Sequence, residues 1–165
     1  MILTVTPFPC VDKTVYIDRL EAGRFMRSER YVCVAGGKGV NASRAVKALG
    51  RSTRAFVVVG SHSGEHVVEM ISEDDGVECI PVRVKSPTRT ITTALETEIQ
   101  RQTALYEPGS KVTPEEYGQI VAAFRDSLKD ARVVCFSGTV SDPAISRLYS
   151  DLIPIAKEAG AITIL

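Results

Sequence analysis

Ala55-Phe56-Val57-Val58-Val59 is an unbroken apolar run closed by Gly60. A strand with one wet face alternates in polarity, whereas a run like this is buried on both faces, as in a parallel sheet. Parallel neighbours require crossover connections, usually helices, and the flanking sequence supplies them. Ile2 to Thr6, Cys79 to Val84, Arg132 to Phe136 and Ala161 to Leu165 read as further strands, the last of them buried. Between them, Val67, Met70 and Ile71 fall at helical spacing. So do Tyr117, Ile120, Val121, Phe124 and Leu128, behind the capping box Thr113-Pro114-Glu115-Glu116. Asp142-Pro143 opens another helix, with Ile145, Leu148, Leu152 and Ile153 facing inward and Gly160 at its end. Apolar strands alternating with amphipathic helices predict an α/β fold with a mostly parallel sheet.

Two regions break that rhythm. Thr14 to Asp18 and Tyr31 to Val34 form one pair of short strands; Thr88 to Glu96 and Arg101 to Tyr106 form another, as a hairpin. With no helices between partners, they predict a small separate sheet, from strands at about 12–35 and 88–106, covering a site. The polar stretch from Asp18 to Arg30, with Arg24, Arg27 and Arg30, reads as a loop.

The stretch that carries chemistry is Val34-Ala35-Gly36-Gly37-Lys38-Gly39-Val40-Asn41. A helix follows it, with Ala42, Ala45, Val46 and Leu49 at helical spacing and Gly50 as its stop. Glycines let the backbone approach a ligand closely. A helix start adds unpaired N–H groups and partial positive charge, and Lys38 adds a full charge. Together these describe a phosphate or sugar-phosphate site. A P-loop needs Ser or Thr after the lysine, and Gly39 stands there. A dinucleotide fingerprint needs an acidic residue at the end of the next strand, and Val59-Gly60 has none. Neither fits.

The 165 residues suffice for one domain with a sizeable core. Twenty basic and twenty acidic residues cancel, so the overall field attracts neither nucleic acid nor an anionic membrane. Cys10, Cys33, Cys79 and Cys135 have neither C-x-x-C spacing nor neighbouring histidines, so neither zinc nor redox chemistry is signalled. Cys33 and Cys135, inside apolar runs, read as buried free thiols. His62 reads as a surface or capping residue. Without a signal-peptide pattern or an apolar run near the roughly 20 residues that span a bilayer, the expectation is a cytoplasmic protein. The chain stops at Leu165, after a strand whose following loop should carry function.

The order Pro9-Cys10-Val11-Asp12, Ala35 to Asn41, Thr88-Arg89, Glu107-Pro108-Gly109 and Ser137-Gly138 resembles the ribokinase-like (PfkB) carbohydrate kinases. Within them it is most similar to the 1-phosphofructokinase and tagatose-6-phosphate kinase branch. The resemblance runs over the whole chain, and Ala35-Gly36-Gly37-Lys38-Gly39-Val40-Asn41 is its most specific part. It implies a three-layer α/β/α sandwich with a small β-sheet lid, here truncated to its N-terminal part. It also implies ATP-dependent phosphorylation, with Mg2+, of a sugar phosphate. By resemblance, Asp12 binds sugar hydroxyls, Gly37 presents its backbone and Asn41 hydrogen-bonds the sugar. Lys38 and Arg89 hold the substrate phosphate, Ser137 assists, and Arg27 reaches the same anion from the lid loop. Glu107 reads equally as part of a turn before Pro108-Gly109.

Three departures stand at the sugar end. Phe8 and Ile91 replace asparagines, and Val140-Ser141-Asp142 replaces a leucine-proline-x-glycine run. By resemblance, the anion hole, the general base and most nucleotide contacts lie beyond Leu165. The chain alone is therefore expected to bind sugar phosphate weakly, transfer nothing and expose an apolar sheet edge after Leu165. A non-catalytic sugar-phosphate-binding or dimerisation module, forming a homodimer through the lid sheet, is the alternative. A nucleotide-binding fragment of another α/β enzyme is a third.

Overall fold

The computed structural model describes residues 1–28 and 30–165. Glu29, inside the stretch expected as a loop, lies outside them. The chain opens with β1 (Ile2–Thr6), β2 (Cys10–Ile17), β3 (Arg30–Gly36), α1 (Lys38–Ala48), β4 (Thr53–Val59) and α2 (Ser61–Glu69). It continues with β5 (Glu78–Arg83), β6 (Thr90–Glu96), β7 (Arg101–Tyr106) and α3 (Pro114–Ser127), then β8 (Val133–Phe136), α4 (Leu148–Glu158) and β9 (Ile162–Ile164).

Five strands form a parallel sheet in the order β5-β4-β1-β8-β9. The run Ala55 to Val59 is buried on both faces because each face has its own helical layer. Phe56 and Val58, with Leu3 and Val5, pack on Ile120 and Phe124 of α3 and Leu148 and Leu152 of α4. Ala55, Val57 and Val59 pack on Val40 of α1 and Val67 of α2. The layering is the expected three-layer α/β/α sandwich. The remaining strands form a second sheet in the order β3-β2-β6-β7. There β2 runs parallel to β6 and antiparallel to β3, and β6 and β7 make the expected hairpin.

Several local expectations are corrected. The inner face of α1 is Gly39, Val40 and Ser43, while Leu49 is 80% exposed. The helix lies so close to β1 that small residues are selected there, and Ser43 Oγ hydrogen-bonds Thr4 Oγ1 at 2.7 Å. The helix expected from Asp142 is two elements. Asp142 caps a 3-10 turn over Pro143–Ile145, and α4 begins at Leu148. A π-helical turn, Met70–Asp74, extends α2. Cys33 and Cys135 are half-buried, and Cys10 is the buried thiol. The reasons are positional: β3 is an outer strand, and Cys135 faces away from α3 and α4. Strand β9 has only β8 beside it among the described strands, and its apolar Ile162 and Ile164 are exposed, as expected of a sheet edge at Leu165. Among the described residues no helix is long and apolar enough to cross a membrane.

The start of α3 ties the two sheets together. Thr113 Oγ1 accepts from the Glu116 amide, and the Glu116 carboxylate accepts from the Thr113 amide at 2.9 Å. Its other oxygen accepts from the Lys85 amide at 2.7 Å, on the link between β5 and β6. The Thr113 amide leads in holding the carboxyl of Glu116 below its ordinary range. A depressed folded pKa contributes stability that is complete above the unfolded value of about 4.3. That stability is lost as pH falls through the lower folded value. Glu116→Gln is expected to cost about 1–3 kcal/mol at neutral pH and to flatten the acid limb, as read from urea unfolding at neutral pH and at pH below about 4.

Candidate functional site

After β1 the chain builds outward through β4 to β5, then returns to place β8 and β9 on β1's other side. The carboxyl ends of β1 and β8 therefore flank the point where strand order reverses, where open α/β sheets bind ligands. A cavity of about 300 Å³ lies there. Thr6 at the end of β1 and Gly138-Thr139 after β8 form one part of its wall, and the second sheet covers it with Cys10, Asp12, Arg89, Ile91 and Tyr106. Phe8 and the start of α1, with Gly37, Lys38 and Asn41, complete the lining.

The loop before α1 is shaped by contact as much as by conformation. Gly37 has a φ of 138°, a region that side chains rarely enter. A Cβ on Gly39 would overlap Thr6 Oγ1 and stand 2.8 Å from the Val5 carbonyl oxygen. These glycines set the first turn of α1 directly on the end of β1. Gly37, at the N-cap, makes no side-chain cap, and the first turn holds no acidic residue. Its N–H groups and the positive end of the helix dipole remain available to a ligand anion. Gly39→Val is expected to push α1 off β1 and carry Lys38 and Asn41 out of position. Ligand binding should fall more than 10-fold, as a misplaced positioning group allows, with the melting temperature lowered; calorimetry and thermal unfolding check both.

The polar side chains each have a defined setting. Asn41 Oδ1 accepts from Arg44 Nη1 at 2.8 Å, and Arg44 is itself held by Asp75. That bond occupies the side-chain oxygen of Asn41, not its amide nitrogen. Arg89 sits just before β6; its carbonyl accepts from the Val11 amide, and its guanidinium lies 5.9 Å from the Tyr106 ring centre. Arg89 Nε and Thr6 Oγ1 are buried and have no hydrogen-bond partner among the described residues. Buried polar atoms without partners are uncommon and need a reason; a ligand anion beside Arg89 would be one. Burial pushes the Cys10 thiol above its ordinary pKa, the Asp12 carboxylate adds to this, and Arg89 opposes it.

Of the residues expected from sequence, Asp12, Gly37, Lys38, Asn41 and Arg89 line this one cavity. Ser137 is half-buried beside it, its amide bonded to the Val5 carbonyl, while its neighbours Gly138 and Thr139 make the wall. Arg27 is not among the residues that line this cavity. Arg27 lines a separate hollow with Tyr16, Asp18, Arg30 and Thr97. That hollow is at the other end of β2, where the strand from Asp12 to Ile17 spans about 16 Å. Glu107 accepts from the Thr90 amide at 2.7 Å, across the open end of the β6–β7 hairpin. Thr6, Cys10 and Tyr106 were not legible as site residues. Only the pairing of β6 with β2 and β7 reveals Tyr106, through its register with Ile91 and hence Asp12.

A family model for pfkB family carbohydrate kinases matches residues 6–165. The chain belongs to that family. Its solved relatives share the pfkB architecture closely. A Thermotoga maritima protein described as a possible 1-phosphofructokinase is 25% identical with a TM-score of 0.88, covering 98% of this chain and 52% of that one. Phosphofructokinase-2 from Escherichia coli, in a tetrameric inhibited form, is 25% identical with a TM-score of 0.86, covering 98% and 53%. The same enzyme in complex with fructose-6-phosphate is 25% identical with a TM-score of 0.83, covering 99% and 53%. This pfkB chain thus spans about half the length of the solved relatives it matches.

Proposed function

We propose that the chain is the sugar-phosphate-binding half of an ATP-dependent sugar-phosphate kinase of the 1-phosphofructokinase or tagatose-6-phosphate kinase type. The observation that carries this reading is the meeting of Lys38, Arg89 and the start of α1 around one cavity, with Asp12 and Asn41 beside them. Phosphoryl transfer depends mainly on positioning and on neutralising charge, and these residues suit the binding share of it. Lys38 and Arg89 hold the phosphate already on the sugar, with help from the first-turn N–H groups of α1. Asp12 accepts hydrogen bonds from sugar hydroxyls, the Asn41 amide donates to another, and the 137–139 segment closes the far side. The complex of Escherichia coli phosphofructokinase-2 with fructose-6-phosphate supports this substrate class.

ATP supplies the group transferred, and by family its contacts and the general base belong to the other half. Magnesium would come with ATP. Among the described residues no three His, Cys, Asp or Glu side chains are grouped to hold a metal ion. The free thiols suit a reducing, cytoplasmic setting. A homodimer through the second sheet belongs to the same proposal, since Val32 and Val34 of β3 stand exposed on it.

The test is a coupled assay of the 165-residue chain with ATP, magnesium and fructose 1-phosphate, fructose 6-phosphate or tagatose 6-phosphate, beside direct binding. Binding without ADP release is expected. Turnover by this chain would overturn the division of labour, and absence of binding to all three would overturn the site.

A further inference from the structure

Asn41 lines the cavity from the first turn of α1, and Arg44 follows it one turn along the same helix. Residues three apart on a helix are neighbours on its surface, and Arg44 Nη1 donates to Asn41 Oδ1 at 2.8 Å. The same guanidinium donates through Nε to Asp75 Oδ1 at 2.7 Å. Asp75 comes from another element. It follows the π-helical turn Met70–Asp74, and its amide closes that turn on the Met70 carbonyl at 3.0 Å. Lys47 of α1 donates to the carbonyls of Asp75 and Gly76, so the segment is tied to α1 at a second point. The Arg44 and Asp75 side chains are 28% and 16% exposed, and charge-assisted bonds in such a setting are the stronger kind. Neither residue is part of the cavity lining.

The two ends of an asparagine amide have the same shape and opposite roles, and the torsion that exchanges them is soft. A guanidinium has donors only. The end of the Asn41 amide beside Arg44 is therefore its oxygen, and its N–H donors are turned away from Arg44. Without that contact, the exposed amide could present either end to the cavity. Arginine suits the task because its planar fork addresses two acceptors in a fixed geometry.

We infer that Arg44, held by Asp75, is a positioning residue for the sugar: it fixes the Asn41 amide so that its N–H donors face a ligand hydroxyl. The inference rests on the reading of the cavity as a sugar-phosphate site. Lys38 and Arg89 take the phosphate, so loss of Arg44 falls on the sugar and spares the phosphate.

The experiment is calorimetric titration of the full chain and its variants with fructose 6-phosphate and with inorganic phosphate, beside thermal unfolding. Arg44→Met is expected to weaken fructose 6-phosphate about 3- to 10-fold, the worth of one hydrogen bond. Inorganic phosphate should stay within about 2-fold, because the Arg44 charge is paired and further screened by salt; its retained binding also certifies the fold of each variant. Asp75→Ala removes a negative charge, which alone would tighten the hold on any anion. Because it releases Arg44, it is expected to weaken fructose 6-phosphate instead. In Asn41→Ala, adding Arg44→Met should cost nothing further, since a residue acting through Asn41 then has nothing to act on. If Arg44→Met leaves fructose 6-phosphate unchanged, weakens both ligands equally, or costs as much in Asn41→Ala as in the unaltered chain, the inference is overturned and the sugar-phosphate site stands. If the unaltered chain binds neither ligand, the underlying reading fails and takes the inference with it.

Discussion

Arg89→Met is expected to weaken sugar-phosphate binding by about 10- to 150-fold, the equivalent of one charge-assisted hydrogen bond at roughly 1.5–3 kcal/mol. Methionine keeps most of the length of the side chain against Tyr106 and removes only the fork of donors. The fold should tolerate the change, because Arg89 Nε has no hydrogen-bond partner among the described residues. Lys38→Met removes the second cation, at the exposed first position of α1, and is expected to cost a similar factor. Lys38 and Arg89 address the same anion, so the double variant should bind below detection and its deficit need not equal the sum. Binding to the unaltered chain should also weaken as salt is raised, because part of the attraction is between charges open to solvent. Titration calorimetry at two ionic strengths, with thermal unfolding as the control, reads all of these. An unchanged affinity in Arg89→Met would remove Arg89 from the site.

Phe124→Ala is the substitution expected to harm the fold most. Phe124 is fully buried on α3, with its ring 5.7 Å from Phe56 of β4 at 85° and 5.8 Å from Phe136 of β8. It thus joins two non-adjacent strands of the parallel sheet to one helix. Truncating such a ring removes its transfer free energy and leaves a cavity, together about 3–5 kcal/mol. Single domains have only about 5–15 kcal/mol in all, so the variant should unfold at much lower urea. Phe124→Leu, which keeps most of the volume, is expected to lose less than half as much. A loss below about 1 kcal/mol for Phe124→Ala would mean that α3 does not pack the core as described.

The parts of this fold legible from sequence are those whose signal is local or doubly enforced. Ala55 to Val59 must be apolar throughout because helices cover both faces of β4. The Thr113 capping box works within four residues, so spacing alone reveals it. The inner face of α1 was not legible, because contact with β1 selects for smallness at Gly39 and Ser43 and leaves apolar Leu49 outside. Hydrophobic spacing cannot signal that. The candidate site divides in the same way. Gly37, Lys38 and Asn41 are contiguous and carry their own pattern, and Asp12 and Arg89 were legible through resemblance. Tyr106 depends on the register of three strands, which no single stretch of sequence encodes.

The central claim is that the cavity between the ends of β1 and β8 recognises a sugar through its phosphate. Calorimetric titration with fructose 6-phosphate, beside fructose itself in the same buffer, tests it most directly. The phosphate ester is expected to bind saturably at one site per chain, fructose to give no measurable heat, and Arg89→Met to abolish most of the difference. Equal binding of fructose and its phosphate, or binding that survives the loss of both Lys38 and Arg89, would contradict it.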